Sequence, residues 1–158
     1  MSGAGRPRAV VGVSGSPGSL AALHRAVREA RRSGAEVPAV LAWEPPGGEL
    51  AHGRSPLALP SADLRRAAGE RLLTAVDAAF GDAGPGVPFQ GLVVRGTAGR
   101  ALVETADRSD DLLVIGAGPR GTLRGLFPSV TRYCVAHAGC PVLTVPPSRR
   151  ARHHLPPR

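Results

Sequence analysis

Residues 111–145 read DLLVIGAGPRGTLRGLFPSVTRYCVAHAGCPVLTV. An apolar run, DLLVI (111–115), leads into a glycine-rich turn, GAGPRGTLRGLFPS (116–129). A helical stretch from about Ser129 to His137 follows, and a second apolar run, PVLTV (141–145), ends the segment. Short strands that are continuously apolar, rather than alternating, are buried on both faces. A helix joining two of them is the crossover of a parallel pair. This segment therefore sets the fold class as α/β with a parallel sheet.

The same alternation fills the chain upstream. AVVGV (9–13) reads as a buried strand that ends in the turn SGSPGS. Ser19 is expected to cap a helix with Leu23, Ala26, Val27 and Ala30 on one face and Gly34 as its stop. EVPAVLAW (36–43) is the second strand, with Pro38 at its start because proline removes a ladder donor. EPPGGELAHGRSPLALP (44–60) reads as a mobile surface loop. Ser61 opens a helix with Leu64, Ala68, Leu72, Ala75, Val76 and Ala79 inward. FQGLVV (89–94) is the third strand, and Thr97 or its neighbours cap a helix carrying Ala101, Leu102, Thr105 and Ala106. Open parallel sheets bind ligands beyond the carboxyl ends of their strands, where the strand order reverses. The turns after strands one and four are the two glycine-rich ones, so as neighbours they would form one site.

With 158 residues the chain reads as one domain. Aromatic residues make up only 3%, so the core must be built from Val, Leu and Ala. No apolar run approaches the roughly 20 residues that cross a bilayer, and the N-terminus has no signal-peptide pattern; a cytoplasmic location is expected. The net charge of +8 comes from 20 arginines and no lysine. Six of them, Arg6, Arg8, Arg149, Arg150, Arg152 and Arg158, sit at two ends that carry no acid, which leaves the remainder nearly balanced. The tail PPSRRARHHLPPR has too little apolar content to pack and reads as disordered. The domain is placed at 8–147, with basic, disordered ends at 1–7 and 148–158.

VVGVSGSPGSLAAL, GTAGRALVETA and DDLLVIGAG followed by PSVTRYCVAHAGCPVLTVP together resemble the universal stress protein family over residues 8 to 147. The resemblance implies a single-domain, doubly wound, Rossmann-like parallel sheet of five strands in the order 3-2-1-4-5, with helices on both faces. It also implies homodimers joined through the last strand, Pro141 to Val145. It places a nucleotide or anion site on Val13, Ser14, Gly15, Ser16, Ala42, Gly116, Gly118, Arg120, Gly121, Arg124, Pro128, Ser129 and Val130. Family members that bind ATP carry glycine, two residues, glycine, nine residues, then glycine and Ser or Thr. Here Gly116 begins the motif, Gly118 follows after one residue, and Pro128 replaces the third glycine while Ser129 keeps the hydroxyl. Ser14 stands where those members usually have aspartate.

Each departure has a physical direction. Pro128 takes one N–H from the phosphate cradle. Ser129 and the amides of Val130 and Thr131 still begin a helix, whose N-terminus attracts anions. Arg120 and Arg124 add positive charge. Ser14 removes a carboxylate that could hold a metal or a ribose hydroxyl. The site suits ATP or another adenine nucleotide as an anion more than it suits Mg-ATP.

Other chemistries have weaker support. Gly116, Gly118 and Gly121 spell G-x-G-x-x-G, but no helix starts at once and no acid lies about 20 residues on, which argues against NAD. A Walker A loop needs lysine. Cys134, His137 and Cys140 lack a fourth ligand and read as buried thiols rather than a metal site. GVSGS is not a nucleophile elbow, and no His–acid pair can be assigned to Ser14 or Ser16, so no enzyme is expected. The arginine tail lacks interleaved aromatics, which speaks against specific nucleic-acid binding. Two functions stay open: a stress-response sensor of an adenine nucleotide or another anion, and a dimeric interaction module that works through partner proteins.

Overall fold

The computed structural model of the chain describes residues 5–54, 57, 59–118 and 129–148. In chain order its elements are β1 (Ala9–Gly12), α1 (Pro17–Ser33), β2 (Val37–Trp43), α2 (Gly48–Arg54) and α3 (Ser61–Phe80). They continue with β3 (Phe89–Arg95), α4 (Ala98–Thr105), β4 (Leu112–Gly116), α5 (Val130–His137) and β5 (Val142–Val145). All strand pairs are parallel, in the order β3-β2-β1-β4-β5 expected above.

Successive strand side chains point to opposite faces of the sheet. Val11, Leu41 and Val114 share one core with Leu23 and Val27 of α1 and with Ala68, Leu72 and Ala75 of α3. Val10, Val40, Leu113 and Ile115 share the other with Ala101 and Leu102 of α4 and Cys134 of α5. Two helices therefore cover each face, which is why β1 and β4 have no polar residue between Ala9 and Val11 or between Leu112 and Ile115.

Three expectations are corrected. Ser16, not Ser19, caps α1: its side chain accepts from the Ser19 N–H at 3.2 Å, with Pro17 at the first helical position. The segment 44–60 is not merely a loop, because residues 48–54 form α2. Arg8 is not a free end charge. Its Nε donates to Asp111 Oδ1 at 2.9 Å and its Nη2 donates to Asp107 Oδ1 at 2.7 Å. Asp111 is 2% exposed and also accepts from the Arg108 N–H, so its carboxylate is fully partnered. These two acids hold the Arg8 guanidinium well above its ordinary range, and Arg8 in turn holds the Asp107 carboxyl below the usual one.

Pro38 is the second residue of β2 and lies inside its pairing: it stands opposite Gln90 of β3, and β1 meets the β2 segment on both sides of it, at Arg8 with Glu36 and at Val11 with Ala39. Ser16→Ala should cost about 1 kcal/mol, because it leaves a first-turn N–H unpaired. Urea unfolding would show this as a lower midpoint with an unchanged slope.

Candidate functional site

The strand order reverses between β1 and β4, and their carboxyl ends lie side by side: Ala9 pairs with Leu112 and Val11 with Val114. Beyond those ends the two turns touch. A methyl added to Gly116 would lie 2.5 Å from the Gly18 carbonyl carbon and 2.9 Å from the Ser19 nitrogen. A methyl on Gly18 would meet the Ala117 oxygen at 3.1 Å. The backbone leaving β4 therefore rests directly on the first turn of α1, which only two glycines allow. No atom of the described residues lies within 4 Å of a methyl on Gly118, which is exposed.

A serine network shapes the β1 side. The Ser19 hydroxyl, buried behind the turn, accepts from the N–H groups of Ser14 at 3.0 Å and Gly15 at 3.2 Å. Gly15 turns the chain with φ of 78°. The Ser14 and Ser16 hydroxyls face solvent 3.0 Å apart. The first turn of α1 carries no acid, and neither does that of α5, whose cap Ser129 accepts from the Arg132 N–H at 3.3 Å. Both helix starts thus present partial positive charge uncancelled by a carboxylate in that turn.

The expected site residues divide clearly. Gly116 meets Gly18 and Ser19, which directly follow the turn that carries Ser14, Gly15 and Ser16; Ser129 and Val130 open α5. The Val13 side chain is 5% exposed and belongs to the core, so that residue offers only backbone, and its N–H already bonds the Val40 oxygen. Ala42 is half-buried, one residue before the end of β2, packed against the α4 and α5 side. Arg120, Gly121, Arg124 and Pro128 lie outside the described residues. Cys134 is buried and Cys140 half-buried, both as free thiols raised in pKa first by burial. No group of three or more His, Cys, Asp or Glu able to hold a metal occurs among the described residues. No described helix is long and apolar enough to cross a membrane.

Sequence reasoning missed a cluster at the ends of β2 and β3. The Arg95 guanidinium lies over the Trp43 ring at 5.3 Å, donates to Glu49 Oε1 at 2.7 Å and reaches the Ser61 hydroxyl at 3.1 Å. Its hydrogen bonds hold the Glu49 carboxyl below the usual carboxylate range. Trp43 and Arg95 are register partners, so this pairing is readable only once the strand alignment is known.

Comparison with known proteins agrees with this architecture. Residues 5–146 match the model of the universal stress protein family. Among curated proteins none matches the sequence. A universal stress protein solved in complex with cAMP is 28% identical, with a TM-score of 0.68 over 90% of this chain and 98% of that one. A universal stress protein from Archaeoglobus fulgidus is 30% identical, with a TM-score of 0.61 over 89% and 98% of the two chains. A structure of the universal stress protein from the same organism in complex with dAMP is 27% identical, with a TM-score of 0.59 over 89% and 97%. On these grounds the chain belongs to the universal stress protein family.

Proposed function

We propose that the protein is a non-enzymatic stress-response module that holds an adenine nucleotide in the crevice between the β1 and β4 turns, without requiring a divalent cation. The observation that carries this reading is the contact of Gly116 with Gly18 and Ser19, which sets the β4 turn against the start of α1. Two relatives at 27–28% identity were solved with the adenine mononucleotides cAMP and dAMP. The cation independence follows from residue chemistry. Hydroxyls of Ser14 and Ser16, not a carboxylate, edge the crevice, and PRGTLRGLFP (119–128) contains two arginines and no acid. Hydroxyl and guanidinium groups compensate phosphate charge directly and offer a hard cation little.

Titration calorimetry with AMP, cAMP and ATP, each with Mg²⁺ and with EDTA, tests this. Saturable binding in the micromolar range that EDTA leaves unchanged is the expected result. Tighter binding of Mg-ATP than of metal-free ATP would overturn the metal-free part. The absence of heat with all three at millimolar concentration would overturn nucleotide binding and favour the interaction-module reading.

The same proposal includes a homodimer through Pro141 to Val145. β5 is an edge strand, with Val142, Leu143 and Val145 half-buried and Thr144 exposed. The Pro141 oxygen accepts from Leu113 of β4 and the Val145 oxygen from Ala117 just beyond it, so strand alternation turns the polar backbone of Val142 and Thr144 to the free edge. Thr144→Pro removes an outward donor and leaves the β4 ladder intact. Sedimentation should then show a dimer weakened by about tenfold or more, with the monomer still folded. An unchanged dimer would move the interface elsewhere.

A further inference from the structure

We propose that α2 is a strap that opens and closes over the carboxyl end of β2, hinged at Gly47–Gly48 and held shut by the Glu49–Arg95 ion pair. Three observations converge on it. First, α2 buries no residue, and its one large apolar side chain, Leu50, is 77% exposed. A helix of seven residues with no docked face has little stability of its own. Second, the chain enters α2 through two consecutive glycines, with φ of 78° and 85°, that begin two residues after the buried Pro45. Side-chain-bearing residues rarely adopt that conformation, and glycine leaves it free to change. The hinge thus lies between a buried residue and a helix that buries none of its own. Third, among the described residues the side chains of α2 make one polar contact with the body of the domain, and it is Glu49 on Arg95.

The receiving half of that latch is held by three elements of the domain. Arg95 ends β3, lies over Trp43 at the end of β2 and is steadied by Ser61 at the head of α3. Glu49 meets it through both carboxylate oxygens, at 2.7 and 2.5 Å. The geometry is bidentate and therefore specific. Both side chains are also largely in solvent, at 40% and 54% exposure, where an ion pair is weak and salt-sensitive. A specific but weak closure is what a reversible strap needs. Trp43, 7% exposed beneath Arg95, lies one residue beyond Ala42, so opening changes access to the edge of the sheet that carries the β1 and β4 turns. No ligand is needed for this motion, so it stands or falls independently of nucleotide binding.

Amide hydrogen exchange resolves the question at single residues. In the wild type at low ionic strength, amides of residues 52–54, the ones with an acceptor inside α2, should exchange slower than their chemical rates. Glu49→Lys should speed them by about tenfold while α1 and β1 amides keep their rates. Trp43 is the sole tryptophan, and its quenching by acrylamide should rise in the same variant. The charge-reversed pair Glu49→Lys with Arg95→Glu should restore protection of α2. Wild-type protein in molar salt should open the strap with no substitution at all. Protection of 52–54 that neither salt nor Glu49→Lys alters would overturn the latch. Loss of protection spread equally over the core would overturn an independent strap.

Discussion

Gly116→Ala should lower the stability of the domain by about 3 kcal/mol, at the upper end of ordinary overpacking costs. The added methyl has nowhere to go. It would stand 2.5 Å from the Gly18 carbonyl carbon and 2.6 Å from its oxygen. These are backbone atoms of the first turn of α1, and that turn is fixed by the Ser16 cap and the Ser19 hydroxyl. Relief requires the end of β4 to separate from α1, which pulls Ala117 from its hydrogen bond to the Val145 oxygen. For a domain of this size the loss corresponds to a fall in Tm of roughly 6–12 °C. Gly118→Ala is the matched control. Its methyl meets no described atom within 4 Å and its φ is not positive, so a change within about 0.5 kcal/mol is expected. Equal melting of the two variants would contradict the close approach on which the crevice depends.

Arg8→Met should have a comparable effect from the opposite end of the sheet. Arg8 and Asp111 precede the adjacent strands β1 and β4, and the Leu112 N–H bonds the Arg8 oxygen. Removing the guanidinium leaves a carboxylate that is 2% exposed, with the Arg108 N–H as its one remaining donor among the described residues. Breaking a buried pair on one side costs about 3 kcal/mol or more. The double variant Arg8→Met with Asp111→Leu removes both charges and should recover most of that loss, since a hydrophobic replacement is often neutral. Chemical unfolding of the four proteins measures the coupling. If the double variant is as unstable as the sum of the two single ones, the pair contributes nothing as a pair.

The fold was legible because β1 and β4 are unbroken apolar runs and α1 starts after a serine and stops at a glycine. LLVI and AVVG name buried parallel strands on their own, and Gly34 ends α1 with φ of 71°, as its position suggests. The order of the strands came through family resemblance, and the pairing bears it out. What stayed hidden depends on neighbours distant in sequence. Three serines within SGSPGS each suit a helix cap, and only the backbone shows that Ser16 caps while Ser19 ties the turn. Arg8 looked like one more basic end residue until β4 brought Asp111 beside it. The helix α2 has no apolar periodicity to announce it, because it buries nothing; what holds it is a charge that arrives from β3. At the site, the sequence named Ser14 to Ser16 and Gly116 together, but it could not separate the glycine that packs, Gly116, from the one that meets open space, Gly118.

The most direct test of the central claim is amide chemical-shift mapping of the ¹⁵N-labelled protein titrated with AMP in EDTA. The expected result is saturating shifts on Ser14, Gly15, Ser16, Gly116 and Ser129, which would place the nucleotide in the crevice between the first and fourth strands without a metal. Shifts confined to other parts of the chain, or none at millimolar AMP, would contradict it.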